Sequence, residues 1–256
     1  MILATDNKTH SEIFDFCQFW LKFTPHFYQS QFLDTCIENN RVVSKWARQS
    51  GKSFSVAAYL TYRVVMSEVV VVIVAPTQNQ SDELYKKIRA FINKNDVLKL
   101  LITKDTASEM LFANGSRIIS LPEGNEGKSI RGFTADIIVI EEAGIVSDNV
   151  MNQVIAPMIA SKPNGQIIKI GTPLGKNHFY QSCYDKNSKY KLISVTWREC
   201  IEAGQYNQDF VDEQQSTLLP IEFTQEYEAE FVEDDNAYFS YVLIKTCQTP
   251  YDYWVV

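Results

Sequence analysis

Three short stretches of this chain put residues together that could handle a nucleotide's phosphates. In "WARQSGKSFS", Gly51, Lys52 and Ser53 form the end of the phosphate-loop pattern, although Trp46 stands where the leading glycine of that pattern would be. At the start of a helix the backbone N–H groups are unpaired and aim the positive end of the dipole at bound phosphates. Lys52 could then reach the β and γ oxygens of ATP, and the Ser53 hydroxyl could ligate Mg2+. A second stretch, "DIIVI", ends in Glu141 and Glu142. In the Walker B arrangement the first such carboxylate holds Mg2+ and the second polarises the attacking water. In a third, "QIIKIGTPLGKNHFY", Thr172 stands between Gly171 and Pro173, placed to touch a γ-phosphate and respond to its loss. Each has a plainer reading as well: a solvated lysine opening a helix, two charges ending a buried strand, and a turn punctuated by Gly and Pro.

These side chains meet only if strands and helices deliver them to one edge. The β-branched run "RVVSKW" before the loop reads as a strand, and Val56, Ala57, Leu60 and Val64 after it recur at helical spacing. A second triplet, Gly127-Lys128-Ser129, is followed by a strand pattern instead and reads as a flexible loop holding Arg131. Apolar runs beginning near residues 41, 69, 116, 135, 166 and 191 alternate with helical stretches, which predicts an α/β fold with a mostly parallel central sheet covered on both faces. In such sheets ligands sit at the carboxyl ends of strands. Asn114-Gly115 between two apolar runs predicts a hairpin. The expected division is a helical segment over 1–40, a core over 41–198 and an acidic, mostly helical segment over 199–256, the two ends forming a small subdomain beside the sheet.

With 256 residues, 45% of them hydrophobic, the chain suits one large α/β domain with a small appendage. No apolar run is long enough to cross a bilayer, and "MILATDNKTHSE" lacks the pattern of a secretion signal. Five cysteines without a CxxC pair point to reduced thiols, and His10, His26 and His178 have no metal-ligand spacing. The net charge of −7 is uneven: Lys and Arg number 16 against 13 Asp and Glu through residue 131, and 8 against 18 beyond it. The acidic run "EYEAEFVEDD" suits a solvated face or a dock for a basic partner.

Taken in order, "RQSGKS" without a leading glycine, "VVIVAPTQNQSDELYKKI", the acidic pair followed by Ala143, and "GTPLGKNHFY" resemble the ATPase domain of the large terminase subunit, the DNA-packaging motor of tailed phages. The resemblance runs from about Phe27 to Phe231. It implies a RecA-like P-loop ATPase that uses ATP and Mg2+ to drive double-stranded DNA into a procapsid in the host cytoplasm, away from any membrane. It implies the portal and the small terminase subunit as partners, and a homo-oligomeric ring built from a chain that is monomeric in isolation. By the same resemblance, Gln29 matches the glutamine that reads adenine, with Tyr28 or Phe27 near the base. Arg48, Gln49, Ser50, Gly51, Lys52 and Ser53 form the phosphate loop, Ser53 and Glu141 face the metal, Glu142 is the catalytic carboxylate, Thr172 is the coupling residue, and Arg131 is an arginine presented ahead of the Walker B strand. Glu141 departs from the aspartate usual in the family. The nuclease domain that follows in family members is not expected within this chain. Two alternatives stay open, a helicase-like DNA-dependent ATPase and a nucleotide-binding switch that does not hydrolyse.

Overall fold

Residues 11–123 and 132–232 are described by a computed structural model. In chain order the elements are α1 (Glu12–Phe19), α2 (Phe27–Glu38), β1 (Arg41–Trp46), α3 (Lys52–Met66), β2 (Val70–Ala75), α4 (Gln78–Asn93), α5 (Asp96–Leu100), β3 (Ile102–Asp105), β4 (Glu109–Phe112), β5 (Arg117–Pro122) and β6 (Ile137–Glu141). Then α6 (Asp148–Val150) runs through a π-helical turn, Met151–Ile155, into α7 (Ala156–Met158). After these come β7 (Gln166–Gly171), α8 (His178–Tyr184), β8 (Lys191–Val195), α9 (Trp197–Glu202), α10 (Gln208–Thr217) and α11 (Pro220–Glu226).

The strands form one eight-stranded sheet in the order β3-β4-β5-β2-β6-β7-β1-β8. All neighbours from β5 to β8 in that order run parallel, and only β3 and β4 run antiparallel at one edge. The near-continuous apolar runs end up where both faces are covered, as buried parallel strands require. Alternation divides each strand between two cores. Val71, Ile73, Ile137, Val139, Ile168 and Ile170 face α1 to α4, whereas Val72, Val74, Ile138, Ile140 and Ile167 face the α6–α7 stretch and Phe179 of α8. The hairpin turns at Asn114-Gly115, where Gly115 takes a φ of 89° and the Asn114 side chain accepts from the Ser116 amide. No helix among the described residues is long and apolar enough to cross a membrane, and Cys17, Cys36, Cys183 and Cys200 are free thiols.

Packing also explains the missing glycine. Trp46 is the last residue of β1, fully buried, its ring edge-on to Tyr28 and Phe32 at 5.3 and 5.5 Å between centroids. The strand therefore continues through the position where the common pattern turns, and the loop is confined to residues 47–51. A glycine at 46 would give up the burial of the largest apolar side chain beneath the loop, on the order of 3 kcal/mol.

The acidic tail of the described region does not form a free solvated face. Glu226, Glu228 and Glu230 each take a cation of the body of the domain: Arg48 at 3.9 Å, Arg198 at 3.4 Å and Lys45 at 2.5 Å. The ring of Phe231 packs against Phe179, Tyr180 and Tyr184 of α8.

Candidate functional site

The site lies at the carboxyl ends of β1, β6 and β7. Two left-handed residues shape the loop after β1, Gln49 at φ 58° and Gly51 at φ 85°. The backbone favours glycine at 51, and a β-carbon there would fall 2.5 Å from Gln29 Nε2, so the end of that side chain would have to shift. Lys52 and Ser53 are then the first residues of α3, where the helix leaves its N–H groups unpaired.

Glu141 ends β6 on the face shared with Ile137 and Val139, which α3 covers. Its Oε1 accepts from the Ser53 hydroxyl. Strict alternation would send Glu142 to the opposite face. Its φ of 49° breaks that alternation, and Glu142 Oε1 comes within 3.4 Å of Lys52 Nζ. The same ammonium lies 3.3 Å from Thr172 Oγ1, just beyond the end of β7. Two acidic residues adjacent in sequence thus reach two neighbouring residues of one helix start.

The donor set suits a hard divalent cation. Ser53 Oγ and the Glu141 carboxylate are both oxygen ligands, as Mg2+ prefers. Glu141 is buried, and its Oε2 has no hydrogen-bond partner, a costly state that a bound cation would relieve. Burial raises the Glu141 pKa, and the Ser53 hydroxyl opposes that rise. No group of three or more His, Cys, Asp or Glu among the described residues forms a separate metal cage.

The remaining loop residues act through the backbone. Ser50 is fully buried and turns its hydroxyl inward to the Ala47 carbonyl, 2.6 Å away. Of the two rings expected near the base, Tyr28 is 1% exposed beneath the loop, its hydroxyl donating to the Ser50 carbonyl at 2.9 Å, and Phe27 is the exposed one. Gln29 is also buried, with Oε1 accepting from the His26 amide and its other end over Gly51. The Arg48 side chain is largely exposed and leans toward Glu226, and its amide donates to the Glu226 carbonyl at 2.8 Å. Arg131 and the second Gly-Lys-Ser triplet lie outside the described residues.

Sequence reasoning missed the residues that fasten this loop from far along the chain. Tyr206 donates its hydroxyl to the Arg48 carbonyl, and Gln205 Nε2 donates to the Gln49 carbonyl at 3.2 Å. Nothing local marks them, because they lie more than 150 positions away. His178, which has no metal-ligand spacing in the sequence, is a buried structural residue: its Nε2 meets the Val146 carbonyl at 3.0 Å and its Nδ1 meets Lys169 Nζ at 3.0 Å. Burial pushes the His178 pKa down to about 4 and that of Lys169 down to about 8.

A helix-covered, mostly parallel sheet with a Gly-Lys-Ser loop opening a helix and an acidic pair beside it is a RecA-like fold in class. The comparisons with known proteins are specific within that class. Residues 46–246 match the family model described as terminase large subunit, T4-like-virus type, N-terminal, and the chain belongs to that family. The large terminase subunit of Escherichia phage T5 is 28% identical over 193 residues, covering 72% of this chain and 42% of the relative, so the chain spans less than half the length of that protein. Among solved structures, the large terminase ATPase domain of Thermus phage P74-26 superposes with a TM-score of 0.73 at 20% identity, covering 87% of this chain and 99% of that one. The large terminase of the thermophilic bacteriophage D6E in complex with ADP gives a TM-score of 0.66 at 11% identity, covering 81% of this chain and 54% of that one.

Proposed function

We propose that this chain binds and hydrolyses ATP with Mg2+ and that this turnover drives double-stranded DNA into a viral procapsid, in the host cytoplasm, with the portal and the small terminase subunit as partners. The family supports a packaging role in general terms. The observation that carries the finer reading is the convergence on Lys52, whose Nζ lies 3.4 Å from Glu142 and 3.3 Å from Thr172 while Ser53 meets Glu141. A carboxylate and a hydroxyl gathered about one ammonium support a site that grips, hydrolyses and senses a terminal phosphate.

In this reading the N–H groups opening α3 and the Lys52 ammonium hold the phosphates. Ser53 and Glu141 would hold Mg2+, and the ion would supply positive charge against the phosphate oxygens. Glu142 turns from Lys52 to orient and deprotonate the attacking water, and Thr172 contacts the γ-phosphate. Gln29 and the exposed Phe27 ring flank the loop on the side proposed for the base, and buried Tyr28 fixes the loop from below. Arg131 is the candidate finger supplied to a neighbouring subunit of a ring, a contribution worth roughly 10³ to 10⁵ in rate.

Calorimetric titration with Mg·ATPγS tests the reading at its base. Lys52→Ala should weaken binding by about tenfold or more, the loss of a charge-assisted contact. Binding as tight as wild type would overturn the assignment of the cradle.

A further inference from the structure

Resting on that reading, we infer that Asn177 is a positioning residue: it locks the Thr172 loop to the Glu142 loop, so that the coupling hydroxyl and the catalytic carboxylate move as one body.

Four observations place the lock. Asn177 Nδ2 donates to the Gly144 carbonyl at 2.6 Å, across 33 positions of sequence. The backbones meet without room for a side chain: a β-carbon on Gly144 would lie 2.9 Å from the Thr172 carbonyl oxygen, and one on Gly171 would lie 3.0 Å from the Ala143 nitrogen. The Ala143 amide carries the β6–β7 ladder past the strand ends by donating to the Ile170 carbonyl at 3.0 Å. Next to Asn177, the His178 amide donates to Asp148 Oδ1 at 2.7 Å and its ring holds the Val146 carbonyl, so both ends of the stretch after Glu142 are held by residues 177 and 178.

The consequence concerns how the site responds to its ligand. A Thr172 loop free of its neighbour could shift when a phosphate leaves while Glu142 stayed in place. Two interlocked backbones with a half-buried bridge between them have no such independent motion, because packed elements shift between discrete arrangements rather than bending continuously. Lys52 and Ser53 sit on the other side of the cleft, on α3. The expected change on turnover is therefore a displacement of residues 142–146 and 172–178 together, relative to α3.

Asn177→Asp separates this role from mere capping. Asn177 Oδ1 also caps α8 by accepting from the Phe179 amide at 2.9 Å, and aspartate caps equally well. What is lost is the amide donation, to Gly144 at 2.6 Å and more weakly to the Leu174 carbonyl within its own loop at 3.3 Å, replaced by a carboxylate facing carbonyl oxygens. The variant should unfold at nearly the wild-type temperature and bind Mg·ATPγS within about twofold of wild type. It should lose kcat by about 100-fold, the scale set by an ångström of misplacement. Hydrogen exchange reads the lock without catalysis: protection of the Ala143 and Ile145 amides should fall about tenfold while that of residues 180–184 stays, since one hydrogen bond carries about that factor. Gly144→Ala, which forces the loops apart from the other side, should give the same pattern and serves if the aspartate variant folds poorly. Unchanged protection at Ala143 and Ile145, or loosened loops with unchanged kcat, would overturn the inference. A wild-type chain that turns over no ATP would instead count against the hydrolytic reading, and the exchange comparison would still decide the lock.

Discussion

Glu142 holds its position through a backbone that L residues rarely adopt, and two substitutions separate that conformation from the carboxylate. At φ 49° a β-carbon crowds the following carbonyl, which costs about 1–2 kcal/mol. Glu142→Ala removes the carboxylate and its contact with Lys52 but keeps the β-carbon. Glu142→Gly removes all three. The lost contact is common to both, so it cancels between them. Glycine's greater freedom in the unfolded chain offsets about 0.4–1 kcal/mol of the relief. Glu142→Gly should therefore be more stable than Glu142→Ala by about 1 kcal/mol, or about 2–4 °C in Tm for a chain of this size. Thermal and urea unfolding of the pair, side by side, measures the difference, and neither variant should release phosphate from ATP. An alanine variant as stable as the glycine variant would refute the strained backbone, and with it the account of how two adjacent carboxylates reach one helix start. Backbone strain of this size is expected where a fold holds a reacting group in place.

Two further outcomes follow from the opposite face of the sheet. His178 is held near 4 by burial and by Lys169, with Asp148 opposing, against 6.5 for a free histidine. A folded value below the unfolded one leaves stability complete above about pH 6.5 and eroding as pH falls toward 4, so wild type should lose about 2 kcal/mol more than His178→Gln between pH 7 and pH 5. Parallel pH profiles in urea unfolding would contradict this. Lys45 has a side chain only 4% exposed and leans on Glu230, itself 49% exposed. Glu230→Ala should cost about 2 kcal/mol, below the range for a fully buried pair because water reaches the glutamate, while Lys45→Met combined with Glu230→Leu should come close to wild type. A single variant as stable as wild type would show that the Lys45 ammonium regains water unaided.

Much of this architecture was legible because its strands are buried on both faces. The six apolar runs became β1, β2, β5, β6, β7 and β8, and the Asn-Gly turn joined β4 to β5. The short strand β3 was not legible, since "ITKD" is exposed along most of its length and shows no apolar period. At the site, Gly51, Lys52, Ser53, Glu141, Glu142 and Thr172 were readable as types at known spacings, and the structure brings them together. Which of Phe27 and Tyr28 faces outward was not readable, because neighbours at a helix start point about 100° apart and either could face the core. The fastening of the loop by Gln205, Tyr206 and Glu226, and the bridge from Asn177 to Gly144, depend on tertiary approach and leave no periodic trace.

The most direct test of a hydrolytic site is Glu142→Gln, which keeps shape and the β-carbon and removes the base. Equilibrium binding of Mg·ATP and single-turnover phosphate release are measured on the same preparation. Affinity within about twofold of wild type, with release slowed by at least about 100-fold, is the predicted result. Phosphate release at the wild-type rate would contradict the assignment of Glu142 as the catalytic carboxylate.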